Sequence, residues 1–157
     1  MKILIDTNIL LDVLYNRKEF VNDSLMIFKL CELNEIEGYI SAISIPNIIY
    51  IMRKSLTKVQ TNDLVNKLLL IFKVVDLKSE DLLNALTLDF NDYEDAIQCA
   101  SAKRIKAQYI LTRNLRDFKS SPIKAIEPFS FLSNHTYSKW SCEFTGFSFK
   151  KNFFFSL

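Results

Sequence analysis

Apolar positions fall into short runs separated by stretches with helical spacing. Lys2 to Ile5 predicts a buried first strand, ending in Asp6-Thr7-Asn8. Ile9 to Tyr15 continues as a short helix. Asn22-Asp23 is placed to cap a second helix through about Leu33, with Leu25, Phe28, Leu33 and Ile36 near one face. Gly38 breaks that element, and Tyr39 to Ile43 reads as the second strand. Ser44 suits the N-cap of a helix from Ile45 to Lys54, with Pro46 in its first turn, where the missing N–H costs little. A further helix spans about Gln60 to Phe72, carrying Leu64, Leu68 and Ile71 on one face. Lys73 to Leu77 is the third strand. Ser79 caps a helix through about Leu88, and Asp92 caps the next, from Tyr93 to about Arg104. Gln108 to Thr112 is the fourth strand and Ile123 to Ile126 a candidate fifth, bracketed by Pro122 and Pro128.

Strands alternating with helices predict an α/β fold with a mostly parallel sheet of four to five strands, covered on both faces. No linker or internal repeat interrupts residues 1–133, which read as one domain. Residues 134–157 change character and are rich in Phe, Ser and Lys. There Phe147, Phe149, Phe153 and Phe155 fall at odd positions, the spacing of a strand face. An edge strand, a cover for a dimer face, a base-stacking surface and a disordered extension all fit that pattern.

Composition narrows the chemistry. The chain has 157 residues, 49% hydrophobic and 24% charged, which excludes a disordered chain. A net charge of +2 does not argue for nucleic acid, so that case must come from a site. Two glycines, Gly38 and Gly146, exclude a phosphate-cradling glycine loop. One histidine, His135, sets a Ser-His-Asp or Cys-His system aside. Cys31, Cys99 and Cys142 are odd in number and form no C-x-x-C pair, so buried neutral thiols are expected. The amino terminus lacks a secretory signal, and the apolar stretch Tyr39–Met52 is too short to span a bilayer. The expected location is the cytoplasm.

Three acids stand where ligands bind in open α/β sheets, past the carboxyl ends of strands. Asp6 follows the first strand, Asp117 lies a few residues past the fourth, and Asp95 sits in the first turn of the helix feeding the fourth. Three carboxylates brought together repel unless a cation joins them. Oxygen ligands without His or Cys select Mg2+ or Mn2+. Such an ion polarises a phosphoryl oxygen and lowers the pKa of its water, which then attacks a phosphodiester. Each residue also has a plainer role: Asp6 as a helix cap, Asp92 as the N-cap of its helix, Asp95 as a capping-box partner, and Asp117 as a loop residue.

Ile3 to Asp12, Tyr93 to Ala102 and Tyr109 to Phe118, with the strand–helix block from Tyr39 to Lys54, together resemble the PIN domain family, the ribonuclease fold of VapC-like toxins. The resemblance covers Lys2 to about Leu132. It implies a Rossmann-like three-layer α/β/α sandwich and Mg2+- or Mn2+-dependent RNA cleavage. It also implies a homodimer, and a small antitoxin as partner in a type II toxin–antitoxin pair. By that resemblance Asp6, Asp95 and Asp117 are the catalytic, metal-holding acids, with Asn114 as the alternative at the last position. Asn8, Asp92 and Thr112 assist, Thr112 by orienting the site. One departure stands out. The family's second acid is a Glu early in the helix after the second strand, and Asn47 holds that place here. That substitution is expected to weaken cation binding and leave room for one ion. Arg113 and Arg116, with Lys119 nearby, are candidates for binding RNA phosphates.

Two other functions compete. A PIN-like domain weakened by Asn47 would serve as an RNA- or protein-binding module. A phosphotransferase using Asp6 as nucleophile would want a second Asp two residues on, where Asn8 stands.

Overall fold

The computed structural model describes residues 1–135. The element order is β1 (Lys2–Ile5), α1 (Thr7–Leu14), α2 (Val21–Glu32), β2 (Glu37–Ser41), α3 (Ser44–Met52), α4 (Lys58–Ile71), β3 (Lys73–Val75), α5 (Ser79–Ala85), α6 (Tyr93–Arg104), β4 (Tyr109–Leu111), β5 (Lys124–Ile126) and α7 (Pro128–Asn134). The strands form one sheet in the order β3-β2-β1-β4-β5, and all four pairings are parallel.

Strand periodicity divides the core. On β1, Ile3 and Ile5 join α1, α2, α3, α4 and α7 on one face, while Leu4 points to α6 on the other. On β4, Leu111 takes the first face and Ile110 the second. Both faces are apolar and covered, so the molecule is the expected three-layer α/β/α sandwich. Phe28 meets Phe72 edge to face at 4.8 Å, fastening α2 to the end of α4.

Buried ion pairs lock the elements that carry the acids. Arg104, at the end of α6, donates to the buried Asp81 of α5 at 2.9 Å from both Nε and Nη2, and to the Asp76 carbonyl at 2.6 Å. Asp12 of α1, fully buried, faces Arg17 at 3.1 Å and Arg113 at 2.6 Å. The Arg113 contact lacks hydrogen-bond alignment, so it is mainly coulombic.

Several boundaries differ from the sequence expectations, each for a local reason. Gly38 sits inside β2, paired with Ile3, and does not end an element. A Cβ there would overlap Cys31 Sγ and meet the Phe72 ring at 3.0 Å. Phe20, not Asn22-Asp23, holds the N-cap position of α2. The first turn of α2 hangs from the Arg17 carbonyl, which accepts from Phe20 and Val21. Ser44 is the first residue of α3, its hydroxyl 2.9 Å from Thr7 Oγ1. Lys78 precedes α5, whose Asp81 side chain accepts the Lys78 N–H. Helix α4 starts two residues before Gln60, on a Thr57–Gln60 capping box. Helix α7, opened by Pro128, goes beyond the expected elements. With few glycines, the chain leaves α1, α2 and α6 through Asn16, Asn34 and Lys106 at positive φ. Cys31 and Cys99 are buried free thiols. Cys142, Gly146 and the alternating phenylalanines lie outside the described residues.

Gly38→Ala is expected to destabilise the fold by about 1–3 kcal/mol through overpacking, read by urea denaturation. Cys31→Ala in the same chain is expected to recover part of that loss. Strictly additive losses would rule out the Cys31 clash as the cause.

Candidate active site

Strand order sets the location. The chain leaves β1 toward β2 and β3 on one side, and later returns to β4 on the other. The crevice at the carboxyl ends of β1 and β4 is therefore a topological switch point, where open α/β sheets bind ligands.

Asp6 occupies that point and is 4% exposed. Its N–H donates to the Leu111 carbonyl at 2.9 Å, joining the β1 end to β4. It precedes α1 in the N-cap position yet makes no side-chain capping bond. Its carboxylate instead accepts from Thr112 Oγ1 at 2.6 Å, Asn8 Nδ2 at 2.5 Å and Gln98 Nε2 at 3.2 Å. Thr112, fully buried, also accepts from Asn8 Nδ2 at 3.0 Å and from the Asn114 N–H at 2.9 Å. Burial still pushes the Asp6 carboxyl above its ordinary range, against the pull of Thr112 and Gln98.

Asp6 opens onto a cleft of about 210 Å3 lined by Asn8, Asn47, Glu94, Asp95, Gln98 and Asn114 among others. Asp95 is half-buried there. Its carboxyl is pushed up to about 7, first by burial and then by repulsion from Asp6, Asp92, Asp117 and Glu94. Glu94 is also raised, by burial first, with Asp92 and Asp6 adding to it and the Asn47 hydrogen bond opposing. A roomier cleft of about 460 Å3 lies beyond Arg113, lined by Glu19, Phe20, Asp23, Ser24 and the start of α7. It holds neither Asp6 nor Asp95, so the smaller one is the candidate site.

The other sequence candidates fall as follows. Asp92 caps α6, accepting the Glu94 N–H at 2.7 Å. Asp117 does not line the cleft; Asn114 Nδ2 donates to it, and its charge is felt at Asp95. Asn8 bridges Asp6, Thr112 and, through Oδ1, the Arg113 N–H at 3.3 Å. The Arg113 guanidinium is held by Asp12 and lies 4.2 Å from the Phe20 ring centre. Arg116 is exposed and pairs with none of the described residues. Three participants are absent from the sequence candidates: Thr7, Glu94 and Gln98. Gln98 was within reach, being one helical turn after Asp95 and so on the same face of α6. Glu94 adjoins Asp95, but its inward turn depends on Asn47, a contact spanning 47 positions that no local pattern gives.

The donors fit a hard divalent cation. Every candidate ligand is an oxygen, and Gln98 Oε1, in a side chain 1% exposed, has no hydrogen-bond partner. The repulsion that raises Asp95 is the conflict a cation relieves. Among the described residues, no three His, Cys, Asp or Glu side chains form a ready-made metal cage. The acids that line the cleft would leave an ion such as Mg2+ to complete its shell with water and substrate oxygens.

Fold and cleft together define a small parallel α/β protein with an acidic, all-oxygen site at the sheet's switch point. Residues 2–116 match the PIN domain family, and the chain belongs to it. That family consists generally of nucleases, in the hydrolase class. Solved structures share the fold. VapBC of Salmonella typhimurium, bound to DNA, aligns with TM-score 0.64 at 21% identity, over 82% of this chain and 98% of its own. VapBC2 of Rickettsia felis, bound to a DNA fragment from its promoter, gives 0.63 at 18%, over 81% and 98%. A toxin–antitoxin complex of Klebsiella pneumoniae gives 0.60 at 22%, over 80% and 96%. No curated protein matches the chain.

The raised carboxyls set a pH dependence. An unfolded Asp95 releases its proton near 3.8, whereas the folded one keeps it to about 7. Between these values the folded state binds more protons, so stability falls as pH rises. Asp6 and Glu94 act in the same direction. Asp81 is net lowered, because Arg104 and the Lys78 N–H outweigh its burial, so its contribution is lost only in acid. In the absence of divalent cation, the melting temperature is expected to drop from about pH 5 to about pH 8. Asp95→Asn is expected to flatten that drop and to melt above the native protein at the upper end. A variant melting below the native protein there would contradict the electrostatic account.

Proposed function

We propose that this protein is a Mg2+- or Mn2+-dependent endoribonuclease and the toxin of a type II toxin–antitoxin pair. The observation that carries this reading is Asp6, a buried carboxylate held by three side-chain donors and open to a cleft shared with Asp95. A carboxylate so costly to bury, at the switch point of a PIN fold, has a function in holding charge.

The chain's own residues divide the work. Asp6 and Asp95 would hold the cation, with Asp117 adding negative potential at Asp95. Thr112, Asn8 and Gln98 keep Asp6 in one orientation. Asn47 lines the same cleft, and Asp92 fixes the start of α6. A divalent cation bound there supplies Lewis-acid polarisation of a phosphoryl oxygen and a more acidic water. The reaction proposed, hydrolysis, would add water across the phosphodiester, breaking one P–O bond and leaving a hydroxyl and a phosphate end. Arg116, exposed and two residues after the cleft residue Asn114, would contact backbone phosphates, and Arg113 would do so only to the extent that Asp12 releases it.

An antitoxin partner is supported by the fold shared with toxin–antitoxin complexes. Exposed apolar side chains at Tyr50, Ile51, Val59 and Leu70 on α3 and α4 offer surface for a partner or a second copy of the chain to cover. Among the described residues no helix is long and apolar enough to cross a membrane.

Native protein incubated with single-stranded RNA and Mg2+ or Mn2+ is expected to cleave it. Asp6→Asn is expected to lower the rate by at least about a hundredfold, the scale of lost metal-assisted stabilisation. Equal cleavage by the two proteins would contradict the reading.

A further inference from the structure

We propose that Glu94 supplies the carboxylate that the early turn of α3 lacks, and that Asn47 is the positioning residue that turns it into the cleft. The proposal rests on the metal-dependent nuclease reading.

A first-turn Glu ordinarily stands in solvent and serves the helix dipole. Glu94 does not. It is half-buried and lines the cleft with Asp6 and Asp95. Its backbone is fixed by Asp92, which accepts the Glu94 N–H at 2.7 Å. Asn47 Nδ2 donates to one carboxylate oxygen. The other lies 3.4 Å from Thr7 Oγ1, itself 2.9 Å from Ser44 Oγ. Contacts from α1 and α3 thus orient a side chain rooted on α6.

The chemistry fixes how Asn47 must be turned. A carboxylate only accepts hydrogen bonds, so the amide end that faces Glu94 is the nitrogen. Asn47 therefore acts as a donor to an acid, not as a substitute for one. A carboxylate at position 47 would face Glu94 and repel it. The site then keeps its number of acids while moving one of them from α3 to α6. Gln98 Oε1, buried and without a partner, is a separate indication that this cleft takes a ligand offering positive charge or a donor.

The test is direct Mn2+ binding to the full chain, read from the paramagnetic resonance signal of the free ion, beside a thermal melt. The variants are Asp6→Asn, Glu94→Gln, Asn47→Leu and Asn47→Gln. Glu94→Gln is expected to weaken Mn2+ binding by about tenfold or more without lowering the melting temperature. Asn47→Leu is expected to weaken it too, and Asn47→Gln, which keeps an amide donor, to restore much of the loss. Asp6→Asn losing Mn2+ while Glu94→Gln binds it as tightly as the native protein would overturn this proposal and leave the nuclease reading standing. Native protein binding Mn2+ no better than Asp6→Asn would overturn both.

Discussion

The structure depends on keeping one charged group, Asp6, in the middle of its sheet and nearly out of water. An isolated carboxylate there would be prohibitively costly. Thr112, Asn8 and Gln98 reduce that cost with donors from the end of β4, from α1 and from α6. Each donor also fixes a distance between elements. The Asp6 N–H bonded to Leu111 ties the same point through the backbone. The acid that prepares the site for chemistry therefore also organises the join between the two halves of the sheet.

Around that join the chain separates charges that stabilise from charges that conflict. Asp12 and Asp81 are as buried as Asp6, yet each faces arginine. Asp6, Glu94 and Asp95 face no cation among the described residues; burial raises all three, and repulsion from neighbouring acids adds to it at Glu94 and Asp95. The contrast lies within one molecule, so burial alone does not explain it. Structural acids have partners, whereas the cleft acids share a partner that must come from outside. The Arg113–Asp12 contact shows the two sets touching, because the same loop carries Thr112 to Asp6 and Arg113 to Asp12.

Most of the architecture was legible in the residues. Ile3, Leu4 and Ile5 are apolar on both sides of a strand, which only a doubly covered sheet permits, and the alternation of strands with helices gave its parallel sense. Asp92 as a cap was legible too, because capping is local. What local patterns miss is what distant residues impose. Gly38 reads as a breaker until Cys31 and Phe72 are seen to fill the space where its side chain would be. Ser44 reads as a cap until Thr7 takes its hydroxyl. Asn47 reads as a lost acid until Glu94 arrives from α6. Gln98 reads as an ordinary helix residue until Asp6 is found above it. Ser44 and Asn47 are decided by contacts that join segments far apart in sequence, where spacing carries no information.

The central claim is that the carboxylates at the end of β1 and the start of α6 form one cation site. Anomalous scattering from a crystal soaked in Mn2+ tests it most directly. The account predicts a manganese peak in the cleft, adjoining Asp6 and Asp95. A well-soaked crystal with no peak there, or with its only peaks beside other residues, would contradict it.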